Sequence, residues 1–201
     1  MKEEKRLPKR SRTLGACAIL VFLIASSLSA SAGLFSYRLI GGVNAREFWI
    51  DPGLINPDYA GPIRNAVASW NNTPTSVRFA ETSNNGISES DFYARDYGPT
   101  GWRGATVMRD ANGNGVVSCG GCAPFANWVY SEISLNDAYL RFDCCFTEWQ
   151  NTSAHEFGHS IALSHSSLAT ALMYFSIDNY VTYGIFTPQQ HDDIDFASQL
   201  D

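Results

Sequence analysis

The chain has 201 residues, 45% of them hydrophobic, and a formal net charge of −6 at pH 7. This length and apolar content suffice for one domain with a real core, and the acidic balance argues against binding to nucleic acid or to an anionic membrane surface. Six basic residues stand among positions 2–12, an apolar run follows at Leu14–Leu28, and small residues stand at Ala30 and Ala32. This order predicts a secretory signal peptide over residues 1–32, with cleavage after Ala32.

The apolar run permits a second interpretation, in which the N-terminal segment stays in place as a membrane anchor. The run is shorter than the about 20 residues that a spanning helix needs, so we expect cleavage and secretion. Residues 33–201 then form one domain with eight arginines, no lysine and eighteen acidic residues, and hence a net charge of −10. We expect an extracellular monomer with no stable membrane association after signal removal.

The sequence after the cleavage site begins with an extended entry segment over residues 33–57. Apolar residues from Ile63 to Trp70 then recur at helical spacing, which predicts a helix over Asp58–Asn71 with Asp58 as its cap. Alternating apolar residues predict strands at Thr75–Thr82, Ser90–Tyr97, Gly104–Asp110 and Asn127–Asp137.

The C-terminal third returns to a helical pattern. Thr147 and Gln150 form a capping box at the start of a helix that carries the histidines. Thr187 and Pro188 begin a last helix over Pro188–Leu200. The order of helix, several strands, helix, loop and helix predicts an α+β domain.

Four cysteines remain after residue 32, namely Cys119, Cys122, Cys144 and Cys145. An even number in an exported chain predicts two disulfides, for which three pairings are possible. A bond between the neighbours Cys144 and Cys145 is strained, which favours one bond from each of them to Cys119 or Cys122. A four-thiolate zinc site is the alternative, although adjacent cysteines make a poor ligand pair.

Three of the four histidines fall within eleven residues, in the stretch SAHEFGHSIALSH. A helix places His155 and His159 on one face, where two imidazoles can bind one zinc ion. His165 can supply a third ligand if the chain turns sharply after Ile161. Glu156 can then take a proton from a water on the metal. A helical histidine pair can also be mere surface decoration, but the glutamate, the third histidine and the export signal together favour a catalytic zinc site.

The stretch HEFGHSIALSH resembles the H-E-x-x-H-x-x-G-x-x-H zinc signature of the metzincin peptidases. The following SSLATALMYF resembles the segment that leads to their Met-turn. The pattern HEFGH…HSS…ALMY is especially similar to that of the matrixins, the matrix-metalloproteinase-like branch. The resemblance implies a zincin-like catalytic domain over residues 33–201: a twisted mixed sheet of about five strands with an active-site helix and a C-terminal helix.

The same resemblance implies a zinc-dependent endopeptidase that acts on protein or peptide substrates. In it His155, His159 and His165 bind zinc, Glu156 is the general base, and Met173 forms an apolar floor beneath the metal without binding it. We expect the substrate to lie extended along an edge strand, the one containing Val129–Leu135.

The C-terminal aspartates Asp192 and Asp193 resemble the matrixin aspartate pair. The resemblance implies that one hydrogen-bonds the Met-turn backbone and the other meets the N-terminal ammonium. Two solvated charges at a helix start, where the helix dipole favours acids, are the alternative.

Two positions depart from the matrixin pattern. Ala162 stands where the signature has a glycine, and an alanine with positive φ costs about 1 kcal/mol, which is small beside the roughly 10 kcal/mol of zinc binding. The Pro-x-Tyr wall of the matrixin substrate pocket falls at Phe175-Ser176-Ile177 and does not match, so the pocket is expected to differ in shape.

The stretch DANGNG, Asp110–Gly115, matches the start of a calcium loop. Asp110, Asn112 and Asn114 could offer oxygen ligands to calcium, but Gly121 stands where such loops carry their last glutamate. A polar hairpin turn is the alternative.

Two other functions stay open. One is a secreted zinc-binding module without catalysis, which the presence of Glu156 disfavours. The other is a peptidase of another metzincin branch, astacin-like or snapalysin-like, and His165 disfavours the latter because that branch uses aspartate there.

Overall fold

The computed structural model describes residues 33–118, 122–141, 146–176 and 183–200. The predicted signal peptide lies outside these ranges, as do Cys119, Cys144 and Cys145. Within them, the predicted α+β fold is confirmed: a five-stranded mixed sheet packs on one face against helices.

The five strands share one sheet with the order β2-β1-β3-β5-β4. Strands β2, β1, β3 and β5 are parallel to one another, and the edge strand β4 is antiparallel to β5. Their bounds are β1 Arg46–Ile50, β2 Phe79–Thr82, β3 Ser90–Arg95, β4 Gly104–Arg109 and β5 Tyr130–Asn136.

Strand β1 lies within the segment that the sequence predicts only as an extended entry. It pairs with two strands that follow it by thirty or more residues, Arg46 opposite Phe79 and Phe48 opposite Ser90. Because parallel strands need a long crossover connection, no nearby turn signal marks this pairing in the sequence.

The expectation that the strand at Val129–Leu135 is an edge strand is wrong. In the described sheet β5 lies between β3 and β4, and the edges are β2 and β4. The alternation of β5 correctly predicts its buried side, because Ser131, Ile133 and Leu135 are all fully buried. One strand's pattern shows which face is buried, but its place in the sheet depends on the other strands.

The helices begin slightly away from their predicted starts. Their bounds are a 3₁₀ turn at Pro57–Tyr59, α1 Ala60–Asn71, α2 Asp137–Leu140, α3 Phe146–Ser160, a π-helical turn at Gln190–Ile194 and α4 Asp195–Ala197. The last helical segment is therefore shorter than the predicted Pro188–Leu200.

Both predicted helix caps before the active-site region are corrected. The Asn56 side chain, and not that of Asp58, caps the first helical segment by accepting a hydrogen bond from the Asp58 backbone N–H. Thr147 lies inside α3, which already includes Phe146, so it is not the cap of that helix.

Two tryptophans join the helices and the sheet around the core. Trp70 of α1 is fully buried and donates its indole N–H to the Ala154 carbonyl of α3 over 2.9 Å. Trp128, just before β5, donates to the Ser160 carbonyl over 3.2 Å. These bonds fasten both ends of the histidine segment of α3, because a buried indole N–H needs its partner.

Cys122 is disulfide-bonded. Its partner lies outside the described residues, so the predicted pairing of Cys119, Cys122, Cys144 and Cys145 stays a prediction. In the described ranges no helix is long and apolar enough to cross a bilayer.

The outer face of the sheet holds a buried acid whose charge should lower the stability of the fold at neutral pH. Asp91 is 5% exposed and stands opposite Glu132 in the β3–β5 register. Burial raises the pKa of Asp91 to about 6. The hydrogen bond that Asp91 accepts from the Ser88 hydroxyl opposes this shift, and the negative charge of Glu132 adds to it. The fold therefore favours the protonated form of Asp91. The stability that this form contributes is fully present below pH 3.8 and is lost as the pH rises through about 6, where the folded protein must bury the charge.

We therefore predict that Asp91→Asn raises the free energy of unfolding at pH 8 by about 1–3 kcal/mol and that the gain disappears near pH 4. Chemical denaturation at both pH values, with zinc chelated, measures it. Asp96→Asn is the matched control, since the backbone N–H of Gly98 and then Arg141 lower the pKa of Asp96. That variant should lose stability at pH 8; the same sign for both variants would contradict the prediction.

Candidate active site

Helix α3 presents the first two histidines on one face, one turn apart. The His155 Nδ1–H donates to the Leu172 carbonyl over 2.8 Å, and the His159 Nδ1–H donates to the Leu163 carbonyl over 2.8 Å. These bonds fix the ring orientation and leave each Nε2 as the unprotonated nitrogen that a metal requires.

The turn that brings in the third histidine is centred on Ala162. Its φ is 85°, the left-handed conformation that the signature's glycine would adopt without strain. The Ala162 N–H donates to His159 and the Leu163 N–H donates to Gly158, each over 3.0 Å. The helix therefore ends by reversing the chain, and this reversal carries His165 back toward His159.

The three histidines converge on one point. Their ligand atoms all lie within 4.8 Å of one another, and the Nε2 atoms of His159 and His165 are 3.2 Å apart. Tetrahedral zinc with Zn–N bonds of about 2.0–2.1 Å holds its nitrogens about 3.3 Å apart, so the donor set fits zinc. In the described ranges, no other group of three or more His, Cys, Asp or Glu comes this close together.

The electrostatics of the cluster keep the imidazoles neutral. Burial lowers the pKa of His155 to about 4, with a further contribution from His165. Burial also lowers the pKa of His159 well below its usual value, and partial desolvation of its ring lowers the pKa of His165. Neutral imidazole is the metal-binding form, so the protein offers all three ligands without having to remove protons at neutral pH.

Glu156 lies beside the histidines but is held by the sheet. It is 7% exposed, and its Oε2 accepts a hydrogen bond of 2.7 Å from the Thr106 hydroxyl of β4. Burial raises the pKa of Glu156 to about 7, and the Thr106 bond partly opposes this shift. A carboxylate with a pKa near the working pH has the property that a general base needs.

Met173 lies directly beneath α3. It is fully buried, and a Cβ added to Gly158 would come within 2.2 Å of its sulfur. Gly158, between Glu156 and His159, therefore lets the methionine approach the helix backbone. The role of Met173 as an apolar floor beneath the metal stays a prediction.

Asp193 hydrogen-bonds the Met-turn backbone, one of the two roles expected for the aspartate pair. It is fully buried and accepts from the N–H groups of Leu172, Met173 and Gln189 over 2.8–3.0 Å. The other expected role, contact with the N-terminal ammonium, stays a prediction, because the side chain of Asp192 lies outside what the structure describes.

A cleft of about 370 Å³ opens over the histidines and Glu156. Its lining comes from residues 101–104 before and within β4, from Asn151 and Thr152 of α3, and from residues 174–176 after the Met-turn. Phe175 and Ser176 thus reach the cleft, with Phe175 66% exposed, and Ile177 lies outside the described residues.

Residues near the start of the described chain also support the site. Phe35 stacks on His159 with ring centroids 5.9 Å apart, and its N–H donates to the Ala162 carbonyl over 2.8 Å. The Ser164 hydroxyl donates to the Gly33 carbonyl over 2.7 Å. Sequence reasoning missed these contacts because more than 120 residues separate the partners.

The predicted calcium ligands form a turn. The carboxylate of Asp110 accepts from the N–H groups of Asn112 and Asn114 and from the Asn114 side-chain amide over 2.8–3.1 Å. Gly113 has a φ of 80°. These bonds explain why the stretch carries an aspartate and glycines: it forms a polar hairpin turn. Calcium binding at Asp110, Asn112 and Asn114 stays a prediction without support from the structure.

Comparison with known families agrees with this geometry. A peptidase family model described as matrixin matches residues 130–200. This segment includes β5, α3, the three histidines, Met173 and Asp193. No curated protein matches the chain.

Proposed function

We infer that this protein is a secreted zinc endopeptidase. The match of residues 130–200 to the matrixin family model supports this inference. The observation that carries the inference is the convergence of three imidazole nitrogens within 4.8 Å beside Glu156, in an open cleft. His155, His159 and His165 would hold the zinc. The predicted signal peptide supports secretion, and we propose a monomer that cleaves protein or peptide substrates.

Zinc, when bound, would supply Lewis acidity that acidifies a water molecule and polarises the scissile carbonyl. Glu156 takes the proton of the attacking water and gives it to the leaving amine, so that one carboxylate serves as base and then as acid. The backbone carbonyls of Leu163 and Leu172 hold two of the histidines in the orientation that this reaction needs.

The substrate would pair with β4, which replaces β5 in the expected role. In the described sheet β4 has a neighbour on one side only. At its far end, Val116 donates to Met108 over 2.9 Å and Gly115 bridges Arg109. The open edge is therefore the part near Gly104, beside the cleft, where an extended peptide can add as a further strand.

Removal and return of zinc test the function directly. The purified protein should contain one zinc per chain and cleave a mixed peptide library; chelation should abolish cleavage and added zinc should restore it. His159→Ala should lose both zinc and activity, whereas the variant of the fourth histidine, His191→Ala, should retain both. Stoichiometric zinc without cleavage of any peptide would instead support a zinc-binding module.

A further inference from the structure

The strand that faces the cleft also holds the proposed general base in place. Gly104, Thr106 and Met108 alternate on the inner face of β4, toward α3. Thr106 is fully buried, and its hydroxyl lies 2.7 Å from Glu156 Oε2 and 2.8 Å from the Glu156 carbonyl. A hydroxyl has one hydrogen to donate, and the ionised carboxylate is the stronger acceptor of the two.

Gly104 provides the space that Glu156 occupies. A Cβ at Gly104 would lie 2.6 Å from Glu156 Cγ, 2.9 Å from its Oε1 and 2.8 Å from Thr152 Cγ2. These distances are shorter than any that real side chains keep, and β4 is fixed by its pairing with β5. Any side chain at position 104 would therefore push Glu156 away from its present position.

We propose that Gly104 and Thr106 are positioning residues for Glu156. Thr106 holds Oε2, Gly104 leaves room for the rest of the carboxylate, and Oε1 is thereby left to accept the proton of the water. The orientation matters because a misplacement of about 1 Å can lower a rate about 100-fold. This inference rests on the proposed peptidase function, and it assigns to β4 a second task besides binding substrate.

The test compares Thr106→Val with Thr106→Ser. Valine has nearly the shape of threonine without the hydroxyl, so we expect kcat to fall about 10- to 100-fold, while KM and the zinc affinity measured with a competing chelator change less than about twofold. Serine keeps the hydroxyl and should restore most of kcat. Gly104→Ala should lower kcat at least as far as Thr106→Val does.

Ser90→Ala is the matched control. Ser90 is a fully buried hydroxyl on the inner face of β3, 3.2 Å from the Ser160 hydroxyl of the same helix α3. Its loss should affect stability but leave kcat unchanged. Unchanged kcat in Thr106→Val, no recovery in Thr106→Ser, or an equal fall in Ser90→Ala would each overturn the proposal.

A second measurement needs no turnover. In zinc-free protein, the unfolding free energies of Thr106→Val, Glu156→Ala and the double variant form a cycle that should be non-additive, because alanine removes the acceptor of the Thr106 hydroxyl. The cycle of Ser90→Ala with Glu156→Ala should be additive. An additive first cycle overturns the role of Thr106 whether or not the protein is active. A non-additive cycle in a protein that cleaves nothing overturns the proposed function alone.

Discussion

Replacing Glu156 by Gln should lower kcat about 10²- to 10⁴-fold, the usual contribution of a general acid–base group. The amide matches the carboxylate in size and can still accept from Thr106, but it cannot take a proton from water. Because Glu156 is not among the three converging nitrogen donors, the zinc content should stay at one per chain. Steady-state cleavage of the best library peptide and metal analysis of the same samples measure both quantities.

Glu89→Gln is the control for this substitution. Glu89 is a half-buried carboxylate that pairs with Arg46 over 3.1 Å and does not line the cleft. It should keep the activity of the parent. If Glu156→Gln retained more than about a tenth of the parent kcat, the assignment of Glu156 as general base would be wrong.

Asp193→Ala should cost about 3–5 kcal/mol of unfolding free energy, since it leaves two buried N–H groups and the half-buried one of Gln189 without this acceptor, each buried group at about 1–3 kcal/mol. Two of these groups belong to Leu172 and Met173, and the Leu172 carbonyl orients His155. The loss should therefore reach the metal site and weaken zinc binding about 10- to 100-fold. Chemical denaturation of the zinc-free chain and titration with a competing chelator separate the two effects.

The neighbouring Asp195 gives a matched comparison. It is exposed at the start of α4, so Asp195→Ala should change the unfolding free energy by less than about 1 kcal/mol and leave zinc affinity as it is. Equal losses in both variants would show that Asp193 acts only as a local helix residue and does not support the Met-turn.

The convergence of the three histidines could be predicted because all three lie within eleven residues. Helical spacing places His155 and His159 together, and a turn of a few residues is all that His165 needs. The sharp turn after the helix forms even without a glycine: Ala162 adopts a φ of 85°, although this conformation is unfavourable for alanine. The amphipathic pattern likewise predicted most helices and strands to within a few residues.

The sheet order and the surroundings of Glu156 could not be predicted in this way. Strand β5 has the clearest alternation in the chain, yet it is an interior strand, and the edge beside the cleft belongs to β4. Thr106 comes fifty residues before Glu156, and nothing in its neighbouring residues indicates that its hydroxyl will meet a carboxylate. Phe35 on His159 and Asp193 on the Met-turn are likewise contacts between distant parts of the chain.

The sequence by itself therefore determined the type of fold, the three candidate ligands and the candidate base, since periodicity and spacing act over a few residues. Only the tertiary structure decided which strand borders the cleft, what holds Glu156 and what supports the histidines. These features depend on strand pairing and side-chain packing between residues far apart in the chain, where local periodicity carries no information.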